Sequence, residues 1–223
     1  MARKLIFSVG EFYHIYNRGV DKRKIFLSKK DYNRFITLLF ACNSTSSVNL
    51  KEQGATLEEA LATKREETLT YICIYCLMPN HFHVILKEKT VGGISRFMQK
   101  LQTAYTMYFN ERNRRTGALL QGTFKASHAH TDNYLKYLIS YIHLNPVKLI
   151  ERKWKETGIS DRVKAEKFLQ HYMYSSYPDC VGEKRKERLL IEPEELPEYF
   201  SSICDFKSAV REWLDFATES PKG

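Results

Sequence analysis

Residues 69–86 read LTYICIYCLMPNHFHVIL, and their pattern decides the fold. Leu69 to Leu77 is an uncharged run rich in β-branched and aromatic residues, Met78-Pro79-Asn80 stops it, and His81 to Leu86 resumes extended character. Two such runs joined by a short Pro-Asn turn predict a β-hairpin. Side chains alternate along a strand, so His81 and His83 share one face while Phe82 enters the opposite layer. Two adjacent imidazoles are a ready pair of ligands for one ion; they are equally what two histidines on a half-exposed strand would look like, and the tripeptide allows both.

The flanking segments build on that hairpin. Phe12 to Asn17 (FYHIYN) predicts a strand halted at Arg18-Gly19, and Asp31 to about Ala41 a helix with a wide buried face of Phe35, Ile36, Leu38, Leu39 and Phe40. Residues 43–69 change composition and read as a polar insertion carrying a short helix, Leu57 to Ala62. After the hairpin, Ser95 is the expected N-cap of a helix reaching Asn110, and Ala118 to Ala129 read as extended. Asp132 caps a last helix, Tyr134 to Asn145, where Pro146 ends it and disfavours helical geometry at Asn145. The order β-α-β-β-α-β plus a helix is the ferredoxin-like arrangement, an α+β fold with one antiparallel sheet and two helices on one of its faces. Residues 1–150 form the principal domain and 151–223 a mostly helical extension.

Charge narrows the partners. The chain of 223 residues carries 35 lysines and arginines against 26 acids, and residues 87–155 hold 13 against 4, while residues 187–223 hold 4 against 9. One basic surface and an acidic tail suit a polyanion that meets the first and avoids the second. No stretch approaches the ~20 apolar residues of a membrane span, so no membrane partner is expected. Five cysteines scattered at 42, 73, 76, 180 and 204 suggest reduced thiols, and the expected location is cytoplasmic. Cys73-x-x-Cys76 followed by His81 and His83 imitates a zinc string; an extended chain would put the two thiols on opposite faces, so they read as buried and inert.

On the last helix Tyr141 and Asn145 are four apart and share a face. Each also has a structural reading, as a buried aromatic and a helix-end cap, whereas His143, two after the tyrosine, faces away from it. Basic residues interleave with aromatics: Arg18, Lys22 and Arg23 after the first strand, Arg96 and Lys100 on the second long helix, Arg112, Arg114 and Arg115 in the turn after it, and Lys125 beyond. Phosphate neutralisation beside aromatic stacking is what a single-strand binder requires, and these nine form the candidate DNA surface.

Several of these stretches stand in an order found in one family. YHIYNRGVDKRKIF (13–26), CLMPNHFHVIL (76–86), RFMQKLQTAYTMYFNERNRRTGALLQGTFKA (96–126), YLKYLISYIHLNPVK (134–148) and YSSYPD (174–179) together resemble the single-tyrosine HUH transposases, in particular their REP-associated branch. The resemblance implies a transposase and nuclease that cleaves and rejoins single-stranded DNA at hairpins through a covalent 5′-phosphotyrosine. It makes Tyr141 the nucleophile and His81, His83 and Asn145 the ligands of a divalent ion. Neutral imidazoles and an amide oxygen suit Mg²⁺ or Mn²⁺ in an open octahedral site. The branch favours a monomer over a homodimer. Thr123 stands where the family commonly carries arginine, and the resemblance implies a weakened DNA contact there. The rival reading is a domesticated protein of the same fold that binds palindromic repeats without moving them.

Overall fold

The computed structural model describes residues 5–47, 56–63, 65–200, 206–208 and 210. The expected hairpin is there: β2 (Thr70–Met78) and β3 (His81–Glu88) pair antiparallel through a turn at Pro79-Asn80, with Met78 opposite His81. The Pro79 carbonyl accepts bonds from the Ile25 and Phe26 amides, which ties the loop after β1 (Phe12–Arg18) to the turn. β1 pairs antiparallel with β3, setting Tyr16 opposite His83 and Arg18 opposite His81, and also with β4 (Lys125–His128). The sheet order β2-β3-β1-β4 is the ferredoxin-like one expected.

Alternation then separates two cores. Tyr13, Ile15, Phe82, Val84 and Leu86 point to the face covered by α1 (Lys29–Cys42) and α3 (Gly93–Arg112), among Phe35, Leu38, Leu39, Leu101 and Tyr105. Phe82 is fully buried, with its ring 5.0 Å from that of Phe35, and truncating such a side chain costs about 3–5 kcal/mol. The opposite face, with Ile74, Cys76, Met78 and Ile85, packs against α4 (Asp132–Leu144) and against the segment beyond it. That segment contains α5 (Trp154–Thr157), α6 (Arg162–His171) and α7 (Tyr177–Cys180), so the extension covers the sheet face that bears the histidines. Within the 43–69 stretch, α2 (Leu57–Ala62) forms as expected, capped by Thr56 with Glu59.

Several boundaries differ from the sequence reading, each for a local reason. α3 starts at Gly93 instead of being capped at Ser95: a Cβ on Gly93 would lie 2.0 Å from the Leu69 carbonyl oxygen, and the buried Glu88 carboxylate accepts the Ile94 amide at 2.7 Å. Thr131, not Asp132, caps α4, its hydroxyl accepting the Tyr134 amide at 3.2 Å. The 118–129 stretch is extended only over β4, because Gln121 to Thr123 bend and leave Leu120 a single bridge to Gly19. Asn145 keeps helical angles, φ −53 and ψ −40, and Pro146 opens a 3-10 turn over Asn145–Leu149 instead of breaking the chain. A bulge in β2 between Ile72 and Ile74 brings Cys73 into the same layer as Cys76, contrary to the opposite faces an even strand would give. Both thiols are fully buried, and burial pushes their pKa values far up, which opposes the thiolate that zinc binding needs.

A histidine pair and a tyrosine on one sheet face

β3 and β1 present a row of polar side chains to α4. His81 and His83 stand side by side on β3 with their rings 4.9 Å apart, and the Tyr141 ring of α4 meets His83 edge-to-face at 5.9 Å. Strand period and helix spacing, read from sequence, therefore converge on one place. His83 is also joined to a residue the sequence reading passed over: His14 of β1, whose Nε2 lies 2.8 Å from His83 Nδ1. His81 Nδ1 lies 2.6 Å from the Asn80 side-chain oxygen. Both Nδ1 atoms are thus occupied, and neither Nε2 has a hydrogen-bond partner among the described residues. Such outer bonds fix ring orientation and tautomer in ligating histidines.

All three imidazoles are held neutral. Burial pushes His14 down to about 4. Burial, with Lys148, Lys155 and Arg18 nearby, does the same to His81, also to about 4. His83 falls well below its ordinary value through burial, with His14, His81, Lys155 and Lys148 adding to it. A neutral imidazole is the form that donates a lone pair to a cation.

Asn145 takes the helix-end position that its structural reading gave it. Pro146 has no N–H, and the Asn145 amide nitrogen Nδ2 instead donates to the Tyr141 carbonyl at 2.9 Å, capping the helix end. That use of the nitrogen orients the amide and leaves Oδ1 buried without a hydrogen-bond partner. A buried acceptor left empty is costly, and a cation would satisfy it. Among the described residues no three His, Cys, Asp or Glu side chains are placed to hold a metal ion, so a donor set here would be the two imidazoles with the Asn145 amide oxygen. That set fits a divalent ion that keeps open positions.

Tyr141 is half-buried, and burial, then Tyr137, push its phenol above the ordinary ~10, the Asn145 amide opposing the rise. Lys155 of α5 lies over the ring with its amine 3.7 Å from the centroid. His143, as expected, is structural: fully buried on the far side of α4, its Nε2 lies 2.9 Å from the Ser176 hydroxyl. The same hydroxyl accepts the Tyr75 amide at 2.9 Å, so YSSYPD clamps α4 to β2.

The candidate DNA-binding residues fall into groups. Arg18 and Lys125 flank the histidines across β1, and Arg18 bonds Gln121 at 2.6 Å. Lys22, with a left-handed backbone beside an equally left-handed Asp21, offers its carbonyl to Asn80 Nδ2 at 3.2 Å, and Arg23 pairs with Asp21 at 3.4 Å. Arg112 pairs at 3.1 Å with the buried Asp31, while Arg115 bonds Asn110 and the Ala118 carbonyl, and Arg114 is exposed with a left-handed backbone between them. Lys100 is engaged within the fold, donating to the Ser44 and Ser46 carbonyls at 2.6 and 2.5 Å. It lies with the exposed Arg96 on the half of α3 away from the histidines.

Among solved structures, one that shares this fold is a REP-associated tyrosine transposase bound to a REP hairpin, 13% identical with a TM-score of 0.52, covering 81% of this chain and 85% of its own. A tRNA(His) guanylyltransferase from Saccharomyces cerevisiae aligns at 11% identity and a TM-score of 0.36 over 89% of this chain and 86% of its own. No curated protein sequence matches. The family model described as Transposase IS200 like matches residues 13–145, the span from the first strand to the asparagine at the end of the tyrosine helix. The chain belongs to the IS200-like transposase family.

Proposed function

We propose that the protein cleaves and rejoins single-stranded DNA at hairpins, with Tyr141 as nucleophile and His81, His83 and Asn145 holding Mg²⁺ or Mn²⁺. The observation that carries this reading is the meeting of Tyr141 with a neutral histidine pair whose Nε2 atoms are free, at a helix end where Asn145 Oδ1 is buried and unpaired. The hairpin substrate is supported by the REP hairpin held by the structural neighbour.

A bound divalent ion would supply charge neutralisation at the scissile phosphate, which its protein ligands, being neutral, cannot. The residues of this chain position the rest. Packing against His83 and the overlying Lys155 hold the Tyr141 ring in place. Attack by its oxygen on phosphorus, with the phenol proton lost to water, forms a phosphotyrosine and breaks the bond to the 3′-oxygen of the upstream strand, which takes up a proton to leave as a 3′-hydroxyl. The phosphoester bond energy is retained, so a second 3′-hydroxyl reverses the step without a nucleotide cofactor. On this reading the working unit is a monomer.

The test is incubation of labelled single-stranded hairpin oligonucleotides with the protein and Mn²⁺ or Mg²⁺, resolved on a denaturing gel. A metal-dependent protein–DNA adduct, absent from Tyr141→Phe, is the expected result. Hairpin binding without any adduct across a range of sequences would overturn it in favour of a binding protein of the same fold.

A further inference from the structure

The 3-10 turn Asn145–Leu149 and helix α5 carry Lys148 and Lys155 back towards the tyrosine. The buried Trp154 anchors α5, and Lys155 is half-buried with its amine 3.7 Å above the Tyr141 ring. Lys148 is near enough to act electrostatically on that amine and disfavour its charged form. Neither lysine has a carboxylate partner among the described residues, whose ion pairs involve other lysines and arginines. The Tyr141 and Trp154 rings face Lys155, and His81 and His83 feel both lysines; none of these is a carboxylate. Two like charges drawn together in a partly desolvated place, without an anion, form an arrangement that an arriving anion relieves.

We propose that Lys148 and Lys155 form a phosphodiester-binding pair beside Tyr141, contributed by the chain beyond the tyrosine helix. The inference rests on the reading of Tyr141 as the residue that meets DNA. The ring face under Lys155 favours its ammonium form, whereas burial and Lys148 lower its pKa to about 7, so the amine is reactive until a phosphate occupies the pair.

That reactivity gives a probe independent of DNA processing. The full-length protein is treated briefly with pyridoxal 5′-phosphate, whose aldehyde condenses with an unprotonated amine near an anion site, then reduced with borohydride and mapped by peptide mass spectrometry. Expected is labelling of Lys155 well ahead of the exposed Lys153, suppressed about tenfold by inorganic phosphate or a single-stranded hairpin oligonucleotide, and reduced in Lys148→Met. In direct binding, Lys148→Met and Lys155→Met should each lower the salt slope of oligonucleotide affinity by roughly 0.7, with Lys155→Arg retaining it. Labelling of Lys155 no faster than Lys153, without phosphate protection, would overturn the pair. Phosphate protection with no Tyr141 adduct on any hairpin keeps the pair and refutes the strand-transfer reading. Adduct formation unaltered in both methionine variants, without protection, does the reverse.

Discussion

Two adjacent serines of YSSYPD should differ sharply when each is truncated. Ser175 and Ser176 are both fully buried, so composition and exposure rank them alike. The Ser176 hydroxyl joins three groups: it accepts the Tyr75 amide at 2.9 Å, donates to the Tyr75 carbonyl at 3.2 Å and meets His143 Nε2 at 2.9 Å. Ser176→Ala strands a buried amide and a buried imidazole nitrogen, at about 1–3 kcal/mol for each group. Since the two share one partner the costs do not simply add, and the expected loss is about 2–4 kcal/mol. The Ser175 hydroxyl makes only bonds of 3.4 Å, to the Tyr172 carbonyl and from the Tyr177 amide, so Ser175→Ala should cost under about 1 kcal/mol. Equilibrium urea unfolding followed by far-ultraviolet circular dichroism, with the m-value checked for constancy, measures both. Equal losses, or a larger one at Ser175, would refute the view that Ser176 is the clamp between α4 and β2.

Further outcomes follow from the same geometry. His81→Ala or His83→Ala should abolish Mn²⁺ binding in calorimetric titration, while His14→Ala, which removes only the outer partner of His83, should weaken it by roughly 10–100-fold. Stability should fall on mild acidification: His14 is depressed to about 4 when folded, so the unfolded chain binds more protons below its ordinary ~6.5. His14 stabilisation is complete above that value and roughly 3 kcal/mol is lost by pH 4, with His143 acting in the same sense; urea midpoints flat between pH 7 and 4 would contradict this. Arg112→Ala should lower the melting temperature by leaving the buried Asp31 without its ion-pair partner, whereas the exposed Lys125→Ala should leave it unchanged and weaken oligonucleotide binding in a salt-dependent way.

The parts of the site that depend on short-range periodicity were legible in the sequence. Strand period placed His81 and His83 together with Phe82 behind them, and helical spacing put Tyr141 and Asn145 on one face. His14 was not legible, because its contact depends on the β1–β3 register, which sets Ile15 opposite Val84, and no local pattern encodes that offset. Lys155 was hidden for a similar reason: its approach to Tyr141 depends on how the turn after Pro146 and the short α5 fold back. Cys73 shows the limit of ideal periodicity, since one bulge changed its layer while both layers were apolar enough to keep it buried. Lys100 looked like a surface charge and holds a loop instead, because the Ser44 and Ser46 carbonyls, 56 and 54 residues away in sequence but close in space, take its amine as their donor.

The clamp through Ser176 and His143 also bears on how the proposed enzyme would serve two DNA ends. A helix fastened to its own sheet on the side opposite Tyr141 would, on the proposed chemistry, hold an attached strand over one histidine pair. On the proposed chemistry the partners must then be exchanged by traffic of nucleic acid through a stationary chamber, departure first and arrival second. Order in time replaces division of labour between two nucleophiles, and the lifetime of the covalent intermediate becomes the interval in which a donor strand chooses its acceptor.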